Sequence, residues 1–206
     1  MKRMLSCLAL VFFGCTAHRT LPAATEAVQS SGPFTFILLA PTHELLRLSA
    51  GRIDARITLG AEPALLALSP FGGSAVVTSR YAATVWLIDT ATMTAKTIAL
   101  PAPASALAIK AGSAWLPMQD GDQLIELSLS TGELARTLRL PLIDACTPEG
   151  LSSISIADGL AFVAHGCRGS TAVALSVIDL DQGLQLRGDY GSRVLSSAAL
   201  LVANRR

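Results

Sequence analysis

An all-β fold built from a repeated four-stranded unit is what this sequence predicts, on three observations. Apolar residues come in short runs rather than at helical spacing, and Gly or Pro interrupts every long window, which leaves no stretch for a stable helix. A hairpin pattern recurs four times, as LLRLSAGRIDARITL from Leu45, VWLIDTATMTAKTIAL from Val85, LIELSLSTGELARTLRL from Leu124 and LSVIDLDQGLQLRGDY from Leu175. The last apolar residues before its turns, Leu48, Ile88, Leu127 and Ile178, are 40, 39 and 51 residues apart, and a period near that value marks a repeat architecture. Between the hairpins lie EPALLALSPFGGSAVVTS, ASALAIKAGSAWLPMQ and GLSSISIADGLAFVAHG, each a pair of apolar runs joined by a Gly-bearing turn. Four strands per period is the content of one propeller blade, so the expected body is β-propeller-like, with about four blades of four short antiparallel strands.

Taken in order, the chain opens on a segment of another kind. In MKRMLSCLALVFFGC, Lys2 and Arg3 form a positive start, and Met4 to Gly14 is almost wholly apolar. That length suits the hydrophobic region of a secretion signal and falls short of the roughly 20 residues a membrane-spanning helix needs. Residues 1–15 are therefore read as a signal peptide. Its end, FFGC, resembles a bacterial lipobox, with Gly14 before a cysteine, Cys15, that would carry the lipid; Phe12 and Phe13 are bulkier than that pattern usually holds. Cleavage after Ala17 is the alternative. Lipidation would anchor the chain to a membrane surface with nothing spanning it. Thr16 follows Cys15 where inner-membrane retention in many Gram-negative lipoproteins is associated with Asp, so the resemblance points to the periplasmic face of the outer membrane. Residues 16–33, rich in Ala, Thr, Ser and Pro, read as a flexible tether, and residues 34–206 as the repeat domain.

Within the repeats the turn chemistry explains most polar residues. Asp89 and Ser128 stand where a side-chain oxygen can accept from backbone amides just ahead, and Ser49 and Asp179 occupy the same place in their copies. Gly132 and Gly183 can supply a positive φ at hairpin tips. Turn formation rather than catalysis accounts for these acids, because each stands at the same point of its repeat.

The second unit is the most specific. EPALLALSPFGGSAVVTSRYAATVWLIDTATMTAKTIAL, from Glu62, resembles a blade of the YVTN family of β-propellers, which includes YncE-type periplasmic proteins. Pro63, Ser69, Pro70, Gly72, Ile88, Asp89 and Thr90 fit that family's blade, whereas VVTS at Val76 to Ser79 stands where its signature tetrapeptide would be. The resemblance covers roughly residues 34–190 and implies a propeller fold. At about 40–45 residues per blade, residues 34–206 hold about four. Three arrangements stay open: a small closed propeller, an open arc whose apolar edges need a partner, or a truncated relative of a longer protein. The tail RVLSSAALLVANRR from Arg193 is apolar enough for one more strand, closing against FTFILLA at Phe34 to Ala40.

Charge and residue inventory narrow the function. The 206 residues carry 16 Lys and Arg against 15 Asp and Glu, with no basic run, so nucleic acid is not the expected partner. Export places Cys146 and Cys167 in an oxidising compartment, where pairing as a disulfide is the expectation; a metal site or a nucleophile using His165 in AHGC is the competing reading. No catalytic elbow, zinc helix or phosphate loop appears, so no catalytic, cofactor-binding or metal residue is assigned and no cofactor is expected. Asp120 with Asp122, and Asp179 with Asp181, have too few neighbouring oxygen ligands for a calcium loop. The expected function is binding or scaffolding in the cell envelope, through loops that contact a protein partner, with the long connection Arg139 to Gly150 pinned by the bridge as a platform. The alternative is an envelope enzyme, similar to lactonase-like or quinoprotein-like propellers, with His43, Glu44, Asp120 and His165 converging over the channel.

Overall fold

Sixteen strands in four antiparallel sheets make up the computed structural model, which describes residues 25–60, 62–119, 122–140, 148–167, 173–182 and 184–185. The first sheet holds β1 (Thr25–Ser31), β2 (Phe34–Leu39), β3 (Glu44–Ser49) and β4 (Arg52–Thr58). The second holds β5 (Pro63–Leu68), β6 (Ser74–Ser79), β7 (Thr84–Asp89) and β8 (Thr94–Ala99). The third holds β9 (Ala108–Lys110), β10 (Ser113–Pro117), β11 (Gln123–Ser128) and β12 (Leu134–Arg139). The fourth holds β13 (Pro148–Ala157), β14 (Leu160–Cys167), β15 (Val173–Asp179) and β16 (Leu184–Gln185). Strands lie in sequence order within every sheet, and the first strands stand side by side, β1 against β5, β5 against β9 and β9 against β13. This is the arrangement of propeller blades, with the first strand of each blade innermost.

Two expectations need correction. The tether expected over residues 16–33 gives way at Thr25, where β1 begins and pairs with β2 from Thr25 opposite Leu39 to Ser31 opposite Phe34. TEAVQSS shows little apolar pattern, its Val28 being 45% exposed, and β1 takes its place through backbone pairing with β2. The connection Arg139 to Gly150 is expected to account for much of the 51-residue spacing before Ile178, yet strand length supplies most of it: β13 and β14 are 10 and 8 residues long where β9 and β10 are 3 and 5. The connection 140–147 is matched in length by 100–107. Residues 1–24, including Cys15, and the tail from Arg193 lie outside the described residues.

The core is a stack of apolar layers, one between each pair of consecutive sheets. Phe36, Leu38 and Leu45 of the first sheet meet Ala75, Val77, Trp86 and Ile88 of the second. Val76 and Val85 of the second meet Ala114, Leu116, Ile125 and Leu127 of the third. Trp115 and Leu124 of the third meet Ala161, Val163 and Ile178 of the fourth. Alternate residues of a strand point to opposite faces, so a middle strand feeds two layers at once: Ala75 and Val77 turn back, Val76 turns forward. That is why these strands read as continuous apolar runs rather than alternating ones.

Cations lock the sheets together from their outer parts. Arg47 of β3 donates from Nη1 to the carbonyls of Thr90 at 2.6 Å and Ala91 at 2.9 Å, in the turn after β7, while Nε and Nη2 grip Asp54 at 3.1 Å. Its guanidinium also lies 4.8 Å from the Phe34 ring centre. One blade on, Lys96 Nζ donates to the Thr131 carbonyl at 2.8 Å, in the turn after β11.

Candidate functional site

The two ends of the blades differ in construction. At the end where first strands join second and third join fourth, several turns are tight: Ala50–Gly51 after β3, Ala111–Gly112 after β9 and Asp158–Gly159 after β13 all have both residues at positive φ, the type I′ hairpin geometry that matches strand twist. The wider turns at this end use side chains instead. Asp89 Oδ1 accepts from Ala91 and Thr92 N–H, each at 2.9 Å, and Asp179 Oδ1 accepts from Asp181 and Gln182 N–H at the same distance. Ser128 Oγ accepts from Thr131 N–H at 3.3 Å. The Thr92 amide and hydroxyl hold the Asp89 carboxyl below its ordinary range. These acids are turn formers, as their shared place in the repeat implies.

The opposite end carries the longer connections, including 100–107, and the mouth of a cavity between the innermost strands. This cavity, of about 330 Å3, is lined by Glu26 and Ala27 from β1, Ala64 to Leu66 from β5, Ser105 to Leu107 before β9, and Ser152 to Ile154 from β13. All four blades therefore contribute to one channel. Ser105 Oγ donates to the Pro117 carbonyl at 3.1 Å and meets Ser152 Oγ at 2.9 Å, tying the third blade to the fourth. Glu26 is held by an ion pair with Arg80 of the second blade, and Tyr81 beside it is 72% exposed. A second groove, of about 390 Å3, lies between the outer parts of the first two blades, with Trp86 buried beside Ile57, Thr84 and Thr97.

Of the side chains expected over the channel, His43, Glu44 and His165 are described, and none of the three lines it. His165 sits in β14 at 1% exposure, with Nε2 at 3.1 Å from Ser176 Oγ, on the face of the fourth sheet that packs toward the third. Burial pushes its pKa down, so the imidazole is neutral near neutral pH. His43 forms the turn before β3 at φ 54, and its carbonyl accepts from Leu59 N–H at 2.7 Å. Glu44 pairs with Arg56 at 3.7 Å. Asp122 gives its carbonyl to Leu140 N–H. Asp120, Gly183 and Cys146 lie outside the described residues, and of Cys167 only its backbone place, opposite Pro148, is described. Among the described residues no three His, Cys, Asp or Glu side chains gather as a metal ion would need. Glu26, Arg80, Ser105 and Ser152 were not singled out by sequence, because no local spacing marks residues that meet only when innermost strands converge.

No protein-family model matches the chain, and no curated protein sequence does. Its likeness is to solved β-propeller structures. Hydrazine synthase of Kuenenia stuttgartiensis superposes with a TM-score of 0.68 at 15% identity over 85% of this chain and 51% of its own. BamB from Moraxella catarrhalis gives 0.60 at 20% identity, over 78% of this chain and 48% of its own. Apo AztD from Citrobacter koseri gives 0.58 at 15% identity, over 79% and 45% respectively. The chain spans about half the length of these structures, and what it shares with them is the propeller fold.

Proposed function

We propose that this propeller-like chain is an exported cell-envelope protein that binds or scaffolds a protein partner through the end carrying its longer connections. The observation that carries the reading is the asymmetry of the two ends. One is closed by turns whose polar groups are spent on their own backbones; the other presents exposed Tyr81, the Glu26–Arg80 pair and the cavity mouth together. Function in such folds is grafted on connections held by a rigid body. The rival enzymatic reading needs His165 over the channel, whereas that side chain is buried toward the third sheet and bonded to Ser176. In finer detail, Ser69–Pro70 and Asp89–Thr90 support a relation to YVTN-type propellers. Ser69 Oγ accepts from Ser74 N–H at 3.0 Å, and the Thr90 hydroxyl donates to the Gly72 carbonyl, so these residues close one blade end.

We assign the membrane tie to a lipid on Cys15, at the periplasmic face of the outer membrane, after cleavage of the signal segment between Gly14 and Cys15. Cys15→Ser abolishes lipid incorporation in this reading; a soluble mature protein beginning after Ala17 overturns it. The partner-binding end is tested by placing a photo-crosslinking residue at Tyr81 and, in a second protein, at Phe71, a fully exposed side chain in the turn after β5 at the other end. Adducts at Tyr81 and none at Phe71 are expected. Adducts confined to Phe71 reverse the assignment.

A further inference from the structure

Trp86 is buried to 4% exposure, yet among the described residues its indole N–H donates to no acceptor. A buried indole nitrogen ordinarily finds a partner, and a donor withdrawn from water without one is costly. The side chain lines the groove of about 390 Å3 between the first two blades, with Ile57, Thr58 and Gly60 on one wall and Thr84, Ala95 and Thr97 on the other. A Cβ on Gly60 would meet Trp86 Cζ2 at 4.0 Å, and that carbon is bonded to the same ring atom as Nε1. The N–H edge of the ring therefore borders the groove. The hydroxyls of Thr58, Thr84 and Thr97 are likewise without a partner among the described residues.

What the groove takes follows from this lining. None of its seven residues is charged, so nothing there offsets the desolvation of a charged ligand. Trp86 is packed with Leu45, Val77 and Ile88 in the layer between the sheets, which leaves its edge rather than its face for contact. Stacking of a sugar ring needs the face; a carbonyl oxygen needs only the N–H. Along the strands the lining runs from Ala95, opposite Ile88, to Thr84, opposite Ala99, a rise of about 13 Å at about 3.3 Å per residue. Thr84 begins β7 three residues after exposed Tyr81, so the groove opens on the end assigned to the partner. We propose that this groove binds an uncharged, extended segment of the protein partner, about four residues long by the reach of an extended chain, with a backbone carbonyl accepting from Trp86 Nε1–H and small side chains against Ile57 and Ala95. The inference rests on the partner-binding reading above and names what that partner presents.

Titration of the full mature chain with capped tetrapeptides of Ala, Val and Thr tests this, read by NMR on the Trp86 indole proton, with Trp86→Phe assigning the signal. A downfield shift of that proton is expected, with the Trp115 proton unmoved. Gly60→Leu fills the groove from a position where a Cβ has ordinary contact and no positive φ is required. It should weaken peptide binding several-fold, and Gly60→Ala less. An unmoved Trp86 proton at millimolar peptide overturns the proposal. So does equal binding of tetrapeptides carrying Asp or Lys, or undiminished binding by Gly60→Leu. A shift produced by a chitin oligosaccharide and not by peptide also overturns it, and assigns the groove to a glycan. Should Gly60→Leu fail to fold, the neutral and charged peptide sets on the unaltered chain still decide. Adducts at Tyr81 with no peptide shift leave the partner reading standing and sink this one; a peptide shift with adducts confined to Phe71 does the reverse.

Discussion

At the scale of single residues, the acids of this chain work on their own backbones. Asp89 accepts two amides of its turn and its carboxyl sits below the ordinary range, so folding favours the ionised form. Asp89→Ala should lower the urea midpoint, whereas Asp89→Asn, which keeps one acceptor oxygen, should lower it less; a Thr92-dependent loss of the same sign would accompany it. His165 behaves in the opposite sense. Its folded pKa is depressed, so the unfolded chain binds the proton first. Stability is fully present above the unfolded value of about 6.5 and is lost as pH falls below it toward the folded pKa. Denaturation followed between pH 7.5 and 5 should show this decline, and His165→Asn should flatten it.

At the scale of elements, the turns and the clasps between blades carry the sensitivity. Gly72 lies at φ +70, and a Cβ there would stand 2.1 Å from Ser31 Oγ in the neighbouring blade. Gly72→Ala should therefore cost more than the roughly 1–2 kcal/mol of a left-handed residue alone, and Ser31→Gly in the same chain should recover the excess; thermal melts of the two proteins decide. Arg47 joins two blades by donating to the Thr90 and Ala91 carbonyls, and it is 14% exposed. Replacing it by Met keeps the stem and removes the donors, with an expected loss of about 1–3 kcal/mol. A cost of the same size for Asp54→Asn would show instead that the pair with Asp54, rather than the clasp, supplies the stability.

At the scale of the whole molecule, four blades share one channel, and the apolar layers run in series from the first sheet to the fourth. The bridge expected between Cys146 and Cys167 belongs to this scale, because it would fasten the connection 140–147 to the end of β14. Pro148 stands opposite Cys167 in the register, and Cys146 lies outside the described residues. The oxidised mature protein should carry no reactive thiol from these two residues. Reduction should lower its melting temperature, with loop closure contributing about 3 kcal/mol. Two free thiols in the oxidised protein would exclude the bridge.

Much of this architecture was legible before any coordinates. Leu48, Ile88, Leu127 and Ile178 disclosed the period, and Asp89 and Asp179 disclosed the turns, because hairpin chemistry is local and repeats with the chain. The run SAVVTS also declared a strand with apolar residues on both faces, which only stacked sheets require. β1 escaped, since TEAVQSS owes its place to pairing with β2 rather than to its own pattern. Tertiary structure alone decided that His165 faces the third sheet while Glu26, Ser105 and Ser152 share the channel. It alone showed Leu175 exposed where its three counterparts are buried. Short-range turn and strand preferences are written in neighbouring residues, whereas which faces meet depends on blades whose partners lie 40 or more residues away.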